Sequence, residues 1–256
     1  MGRFDAKVAC VVGAAGGIGL ATAARLASEG ARVAMCDRKR ELLEASRASV
    51  PGASAFELDV RDATAVESTI AAIEAGVGPI DHLAITSGIF RAEAFLETST
   101  ETWNDLFAVN VFGAVAVLRA CAGRMQARKR GSIVVVASQS AKVVRLRQGA
   151  YGASKAALTY AVKALGLELA RTGIRVNVVQ PGTTDTPLAR ELWDKGKGSP
   201  EAHVAGSLEA FRAPIPLGKV GRAEDAAGVV AFLLSDDAGH VTMTEVLVDG
   251  GSSYIA

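Results

Sequence analysis

Residues 7–19 read Lys7-Val8-Ala9-Cys10-Val11-Val12-Gly13-Ala14-Ala15-Gly16-Gly17-Ile18-Gly19. After Lys7 comes a short apolar run with no polar alternation, and then a glycine-rich stretch. An unalternating run of this length reads as a strand buried on both faces, the habit of parallel sheets covered by helices. Downstream, Ile18, Ala21, Leu26 and Ala27 keep a helical spacing that stops at Gly30. The stretch is therefore a strand, a glycine turn and a helix. Glycine lets such a turn approach a pyrophosphate, and the helix start offers free N–H groups and a positive dipole end. The spacing Gly13-x-x-x-Gly17-x-Gly19 differs from the usual G-x-G-x-x-G, so its place after the first strand supports it more than its letters do.

The same unit recurs. Arg32–Cys36 is a second apolar run; Ala55–Leu58 precedes helical Ala63–Ala75, and Asp81–Thr86 precedes Thr102–Arg128. Ser132–Ala137 precedes Gly152–Ala170, Arg175–Val179 precedes a polar segment, and Ala223–Leu234 precedes Glu245–Val248. Parallel neighbours need long crossovers, nearly always right-handed. The pattern predicts an α/β, Rossmann-like, doubly wound parallel sheet of seven strands with helices on both faces. No linker interrupts residues 1–256, which read as a single domain. Residues 183–216 carry Gly196, Gly198, Pro200, Gly206, Pro214 and Pro216 and read as a lid-like segment, with Trp193 and Phe211 as apolar lining, the alternative being an ordinary surface excursion.

Composition excludes other classes. Lys plus Arg is 28 and Asp plus Glu is 27, a net charge of +1, which leaves no electrostatic footprint for nucleic acid. Half the residues are hydrophobic, which excludes a disordered chain. Cys10, Cys36 and Cys121 suit neither a disulfide framework nor a metal site; their apolar flanks predict buried thiols in a reducing compartment. No secretory signal is seen, and no uninterrupted apolar run approaches the ~18 residues that span a bilayer, so a cytoplasmic protein is expected. His82, His203 and His240 are scattered and receive no catalytic role.

Several side chains carry chemistry. Asp37 ends the second strand and can accept hydrogen bonds from both ribose hydroxyls of NAD while repelling a 2′-phosphate. It can equally cap the helix after Lys39, and Arg38 can stack on adenine or meet a 2′-phosphate. NAD is the cofactor expected. Asp59 ends the third strand and can reach an adenine amino group or serve as a turn residue before Arg61. Tyr151 and Lys155 share a helix face one turn apart. An ammonium favours the phenolate, so Tyr151 can act as a general base. Tyr-x-x-x-Lys alone is common, but Ser138 also lies at a strand end, where open α/β sheets bind ligands. Asn110 interrupts an apolar helix and needs a partner, whether catalytic or structural.

Together, Gly13-x-x-x-Gly17-Ile18-Gly19, Asn110, Ser138, Tyr151-x-x-x-Lys155 and Pro181-Gly182 resemble the short-chain dehydrogenases/reductases over the whole chain. The resemblance implies that Ser138 polarises the substrate oxygen, Tyr151 exchanges its proton, and Lys155 lowers the tyrosine pKa and holds the ribose. Asn110 would anchor a relay water and Thr186 would meet the carboxamide. Val60, Gly88, Pro181, Gly182 and Thr184 join the cofactor site on the same ground. A homotetramer built on the helices Thr102–Arg128 and Tyr151–Thr172 is also implied. Two departures stand out. Val12 replaces a customary threonine, and Ile85-Thr86-Ser87-Gly88 replaces an asparagine-led motif, so Ile85 must be compensated by local packing.

Closer similarity within the family points to oxidation of the ring C3 hydroxyl of a cyclohexadiene carboxylate, such as 2,3-dihydro-2,3-dihydroxybenzoate, to an aromatic acid. The amino analogue, 2,3-dihydro-3-hydroxyanthranilate, stays open. Arg91 and Arg145 follow strand ends and suit a substrate carboxylate, or are solvated loop charges. Arg147 comes next, with Gln139, Gln148 and Gln180 as further departures near the site. A 3-oxoacyl or sugar oxidoreductase of the same fold is the competing enzyme, and a non-catalytic NAD-binding scaffold the competing class.

Overall fold

The computed structural model describes residues 2–254. The chain runs β1 (Val8–Val12), α1 (Gly17–Ser28), β2 (Arg32–Asp37), α2 (Arg40–Arg47), β3 (Ser54–Glu57), α3 (Ala63–Gly76) and β4 (His82–Ile85). It continues with α4 (Thr100–Phe107), a π-helical segment (Ala108–Gly113), α5 (Ala114–Arg128), β5 (Gly131–Val136), α6 (Gly149–Leu169) and β6 (Ile174–Pro181). Last come β7 (Thr184–Asp185), α7 (Pro187–Asp194), α8 (Pro200–Ala205), β8 (Gly221–Arg222), α9 (Ala223–Leu234) and β9 (Glu245–Val248). The central sheet has seven strands in the order β3-β2-β1-β4-β5-β6-β9, all parallel. Strand order therefore reverses between β1 and β4, which opens a crevice at their carboxyl ends.

Alternation within each strand explains the continuous apolar runs. Val8, Cys10 and Val12 face a core shared with α3, α5 and α6. Ala9 and Val11 face a second core shared with α1 and α9. Both faces are dry, so both sets of positions must be apolar, each large side chain contributing roughly 1.5–3 kcal/mol. All three cysteines are buried and free, and the Cys10 and Cys36 sulfurs lie 3.9 Å apart across β1 and β2.

One expectation needs correction. The helix read as one element over Thr102–Arg128 begins at Thr100 and is broken in register by the π segment around Asn110. Such widened turns concentrate at functional sites. Gly113 makes the close approach there possible, because a Cβ on it would lie 2.5 Å from the Val60 side chain. Thr100–Arg128 is also, by length and composition, apolar enough to cross a membrane, although no run in the sequence suggested it. Its apolarity has another use here. Val117, Leu118, Cys121 and Met125 point into the core over the sheet.

Residues 183–216 fold into β7, α7, α8 and a tight reversal closed by antiparallel pairing of Ser207 with Arg212. Thr186 caps α7 by accepting from the Ala189 N–H, with Pro187 in the first turn, and Ser199 and Pro200 repeat the device in α8. Trp193 lines the cleft below; Phe211 does not, being 82% exposed.

Candidate active site

The carboxyl ends of the strands open into one cleft of about 1140 Å³, walled on its outer side by residues 186–213. Every residue the sequence proposed for cofactor or substrate lines it; among the proposed catalytic residues only Asn110 lies behind the wall.

At one end the glycine turn forms a cradle that side chains would fill. Gly13 has φ +89° and Gly17 φ +53°, left-handed values that favour glycine. A Cβ on Gly13 would lie 2.5 Å from the Ser87 nitrogen, and one on Gly19 would lie 2.0 Å from the Gly13 carbonyl oxygen. Gly16 caps α1 without any side-chain hydrogen bond, which leaves the first-turn N–H groups for an anion. Asp37 borders this cradle. Its carboxylate accepts from the Ala15 N–H at 3.2 Å and the Lys39 N–H at 3.1 Å. It braces the turn rather than capping α2, whose N-cap is Lys39. Asp59 is less available than expected. Both its oxygens face the Arg61 side chain, at 2.5–3.0 Å, and this pair holds its carboxyl below the usual range. The turn reading is the one the geometry carries. Thr186 sits over Gly17, its methyl 3.2 Å from where a Cβ would be. The cradle and Asp37 fit a dinucleotide pyrophosphate and its adenosine ribose.

The missing asparagine is replaced by hydrogen bonds, not by packing alone. The Thr86 hydroxyl donates to the Val12 carbonyl at 2.8 Å and lies 3.1 Å from that of Gly13, tying β4 to the glycine turn. Ile85 is simply core. Sequence reading missed Thr86, although a hydroxyl one position after an absent amide was visible.

In the centre, Tyr151 and Ser138 line the cleft side by side. Burial raises the tyrosine pKa and the serine contact lowers it. The expected lowering by Lys155 is not present. Its ammonium lies 6.0 Å from the Tyr151 ring centre and donates weakly to the Val136 carbonyl at 3.4 Å. Burial alone pulls the Lys155 pKa down to about 8. Gly88 leaves room for it, since a Cβ there would sit 3.1 Å from the ammonium and 3.2 Å from the Asn110 carbonyl oxygen. Phe90 stacks edge-on against Tyr151 at 4.8 Å and fixes the ring. Asn110 is fully buried and fully occupied. Its oxygen accepts from the Ile89 N–H at 2.8 Å, and its amide donates to the Ile89 carbonyl at 3.1 Å and Ser154 Oγ at 3.0 Å. Its side chain is a clamp between the β4 loop and α6, not an arm into the cleft.

At the far end Arg145 is only 9% exposed, with one hydrogen bond, to the Ser252 carbonyl at 3.5 Å. Burial lowers its pKa, with only a weak opposing pull from Asp249. Arg91 is exposed and donates to its neighbour's carbonyl, that of Phe90, at 2.9 Å. Arg147 is exposed as well. Gln139 accepts from both Ser252 and Ser253, and Gln148 from Ser140, so each presents its amide N–H group. Gln180 is fully buried and bonded to Glu245, away from the cleft lining. Arg212 and His203 also line the cleft, and neither was selected from the sequence.

Such a constellation can remove a proton from a hydroxyl beside a bound dinucleotide and hold an anion further out. A family model described as enoyl-(acyl carrier protein) reductase matches residues 13–253. The chain is 42% identical over 254 residues to 2,3-dihydro-2,3-dihydroxybenzoate dehydrogenase of Bacillus subtilis (strain 168), covering 98% of this chain and 97% of that one. It is 39% identical over 250 residues to the enzyme of that name from Escherichia coli (strain K12), covering 98% of each. Among solved structures, gox2181 superposes with a TM-score of 0.89 at 31% identity, covering 98% of this chain and 97% of its own. With the cradle, the Ser138–Tyr151–Lys155 set and these relatives in agreement over nearly the full length, the chain belongs to the short-chain dehydrogenase/reductase family of nicotinamide-dependent oxidoreductases.

Proposed function

We propose that the protein oxidises 2,3-dihydro-2,3-dihydroxybenzoate at C3 to 2,3-dihydroxybenzoate, with NAD as the acceptor. The observation that carries this reading is the buried Arg145, with no carboxylate within salt-bridge distance among the described residues, in the same cleft as Ser138, Tyr151 and Lys155. Two relatives that bear the name of this activity support it. A buried guanidinium that no acid pairs directly is costly unless a ligand supplies the anion.

Ser138 donates to the C3 oxygen and Tyr151 takes the hydroxyl proton. A nicotinamide held by the glycine cradle and Asp37 would supply the acceptor for the C3 hydride. The resulting cyclohexadienone tautomerises to the aromatic acid, which makes the overall step downhill, so orientation and charge stabilisation suffice. Lys155, one helical turn from the phenol, would hold the ribose of the bound cofactor, while the Asn110 clamp holds the loop after β4 against α6. Gln139 and Gln148 offer N–H donors, which suit a C2 hydroxyl oxygen better than the amine of the anthranilate analogue. A hydroxyacyl thioester or a sugar would leave Arg145 unpaired.

Arg145→Ala should raise KM for the acid roughly 10- to 100-fold, the worth of a charge-assisted hydrogen bond, and leave KM for NAD within about twofold. An unchanged acid KM would remove Arg145 from this role. Asp37 favours NAD by bonding both ribose hydroxyls and repelling a 2′-phosphate. Asp37→Ser should therefore weaken NAD binding and raise NADP turnover; steady-state kinetics with both cofactors reads this, and unaltered NAD affinity contradicts it. The assembly proposed is a cytoplasmic homotetramer formed through α5 and α6; the π segment before α5 exposes Phe112, and α6 exposes Tyr160 and Leu167. Sedimentation equilibrium tests the count of chains.

A further inference from the structure

We infer that Arg212, delivered from the segment over the cleft, pairs with Arg145 to form a two-guanidinium seat for the substrate carboxylate. This rests on the carboxylate substrate proposed above and adds a second specificity-determining residue to it.

Arg212 is a built position, not a loose surface arginine. Its backbone pairs with Ser207 in both directions, at 2.9 and 2.8 Å. Gly206 permits the reversal, since a Cβ on it would come 2.6 Å from the Arg212 carbonyl oxygen, and Phe211 takes a left-handed φ of +49° to complete it. The guanidinium meets His203 Nδ1, and the His203 ring packs on Trp193 with centroids 6.0 Å apart. Three pieces of the covering segment, α7, α8 and the reversal, thus converge on one side chain. Burial and the Arg212 charge push the His203 pKa down to about 4, so near neutral pH the imidazole is uncharged and accepts from the guanidinium.

Charge supplies the second argument. Both arginines line the cleft, and among the described residues neither lies within salt-bridge distance of an acid. Each is desolvated, and Arg145 is near enough to lower the Arg212 pKa further. Most other cleft-facing cations here have alternatives: Arg91 and Arg147 are exposed to water. Two like charges drawn into one partly dry space cost stability, and a planar carboxylate between them relieves both. Because one arginine lies in the loop after β5 and the other in the covering segment, an anion bridging them also joins the two walls of the site.

The test compares 2,3-dihydroxybenzoate with catechol, which lacks the carboxylate, as ligands of the NADH-loaded protein by calorimetry. Wild type, Arg212→Ala, Arg212→Gln and Arg145→Ala are measured, each first checked for NADH binding. We expect the wild type to favour the acid. Each arginine variant should lose about 10- to 100-fold in acid affinity and far less for catechol. Equal losses for both ligands would make Arg212 a structural staple of the covering segment, and no loss would remove it altogether; either overturns the pairing. Turnover of the dihydrodiol acid by the wild type is read alongside. If turnover occurs and Arg212 variants keep their acid preference, the inference fails and the proposed function stands. If turnover is absent, the function fails, and benzoate binding to wild type and Arg212→Ala decides the seat: loss in the variant retains it, and no binding to either refutes it.

Discussion

Tyr151→Phe abolishes measurable oxidation, lowering kcat by about 10²- to 10⁴-fold, while NAD binding persists. Among the described residues in the centre of the cleft, Tyr151 as its phenolate is the side chain placed to take a hydroxyl proton. Ser138 Oγ already accepts from the Ser140 N–H at 3.1 Å and stands beside Tyr151, so it can steer an oxygen but has no base of its own. No histidine or carboxylate replaces the phenol. His203 lies by Arg212 and Asp37 braces the glycine turn. Phenylalanine keeps the edge-on contact with Phe90, so the pocket shape survives and the loss is chemical. A variant retaining more than about a tenth of the wild-type kcat would remove Tyr151 from its role. The wild-type pH profile follows from the same residues. Tyr151 is held up by burial, while burial pulls the Lys155 ammonium down to about 8. Because the base is the Tyr151 phenolate and its pKa is held up, kcat/KM for oxidation should rise from mildly acid toward alkaline pH. A flat profile between mildly acid and alkaline pH would contradict this.

Lys155→Met gives an enzyme that is far less active yet more stable at pH 7. Burial pulls the Lys155 pKa from 10.5 to about 8, with no acid at hand to compensate. In the unfolded chain the amine keeps its ordinary pKa, so between about 8 and 10.5 the unfolded state binds more protons. Wild-type stability then rises with pH across that window. Below it the native state carries the full cost of a buried ammonium, about 3 kcal/mol by linkage. Methionine removes that cost and fills the space with a flexible apolar chain. It also forfeits the long bond to the Val136 carbonyl, which offsets about 1 kcal/mol. The net gain of about 2 kcal/mol should raise Tm by roughly 4–8 °C at pH 7 and shrink toward zero near pH 10. Thermal melts at the two pH values read this. A variant less stable than wild type at both would show that Lys155 holds the fold rather than burdening it, against the view that the cost is retained for function.

Why some features were legible and others not follows from where their information lies. Strand and helix order is written locally: Val8–Val12 and Ile133–Val136 are apolar at every position because two cores meet there, and no long-range knowledge is needed to see it. The glycine turn was legible for the same reason, since Gly13 and Gly17 answer to their own φ angles. Thr86 was not, because its partners, the Val12 and Gly13 carbonyls, lie more than seventy residues away across the sheet. Arg212 lies 67 residues beyond Arg145, inside a polar segment where charged side chains are ordinary, and only the reversal at Gly206–Arg212 brings it over the cleft. Asn110 was selected correctly as an interruption, but the π turn that accommodates it leaves no mark in hydrophobic spacing. Arg91 and Arg145 looked equivalent at the ends of their strands. Burial separates them, and burial depends on Ser252 and the covering segment, not on either residue's neighbours in the chain.

The most direct measurement supplies purified protein with NAD and 2,3-dihydro-2,3-dihydroxybenzoate and follows NADH absorbance with product analysis, against sugar alcohols and hydroxyacyl thioesters at equal concentration. The account predicts one NADH formed per 2,3-dihydroxybenzoate released, and little or none with the uncharged alcohols. NADH formation from a sugar alcohol or thioester, with none from the cyclohexadiene acid, would contradict it.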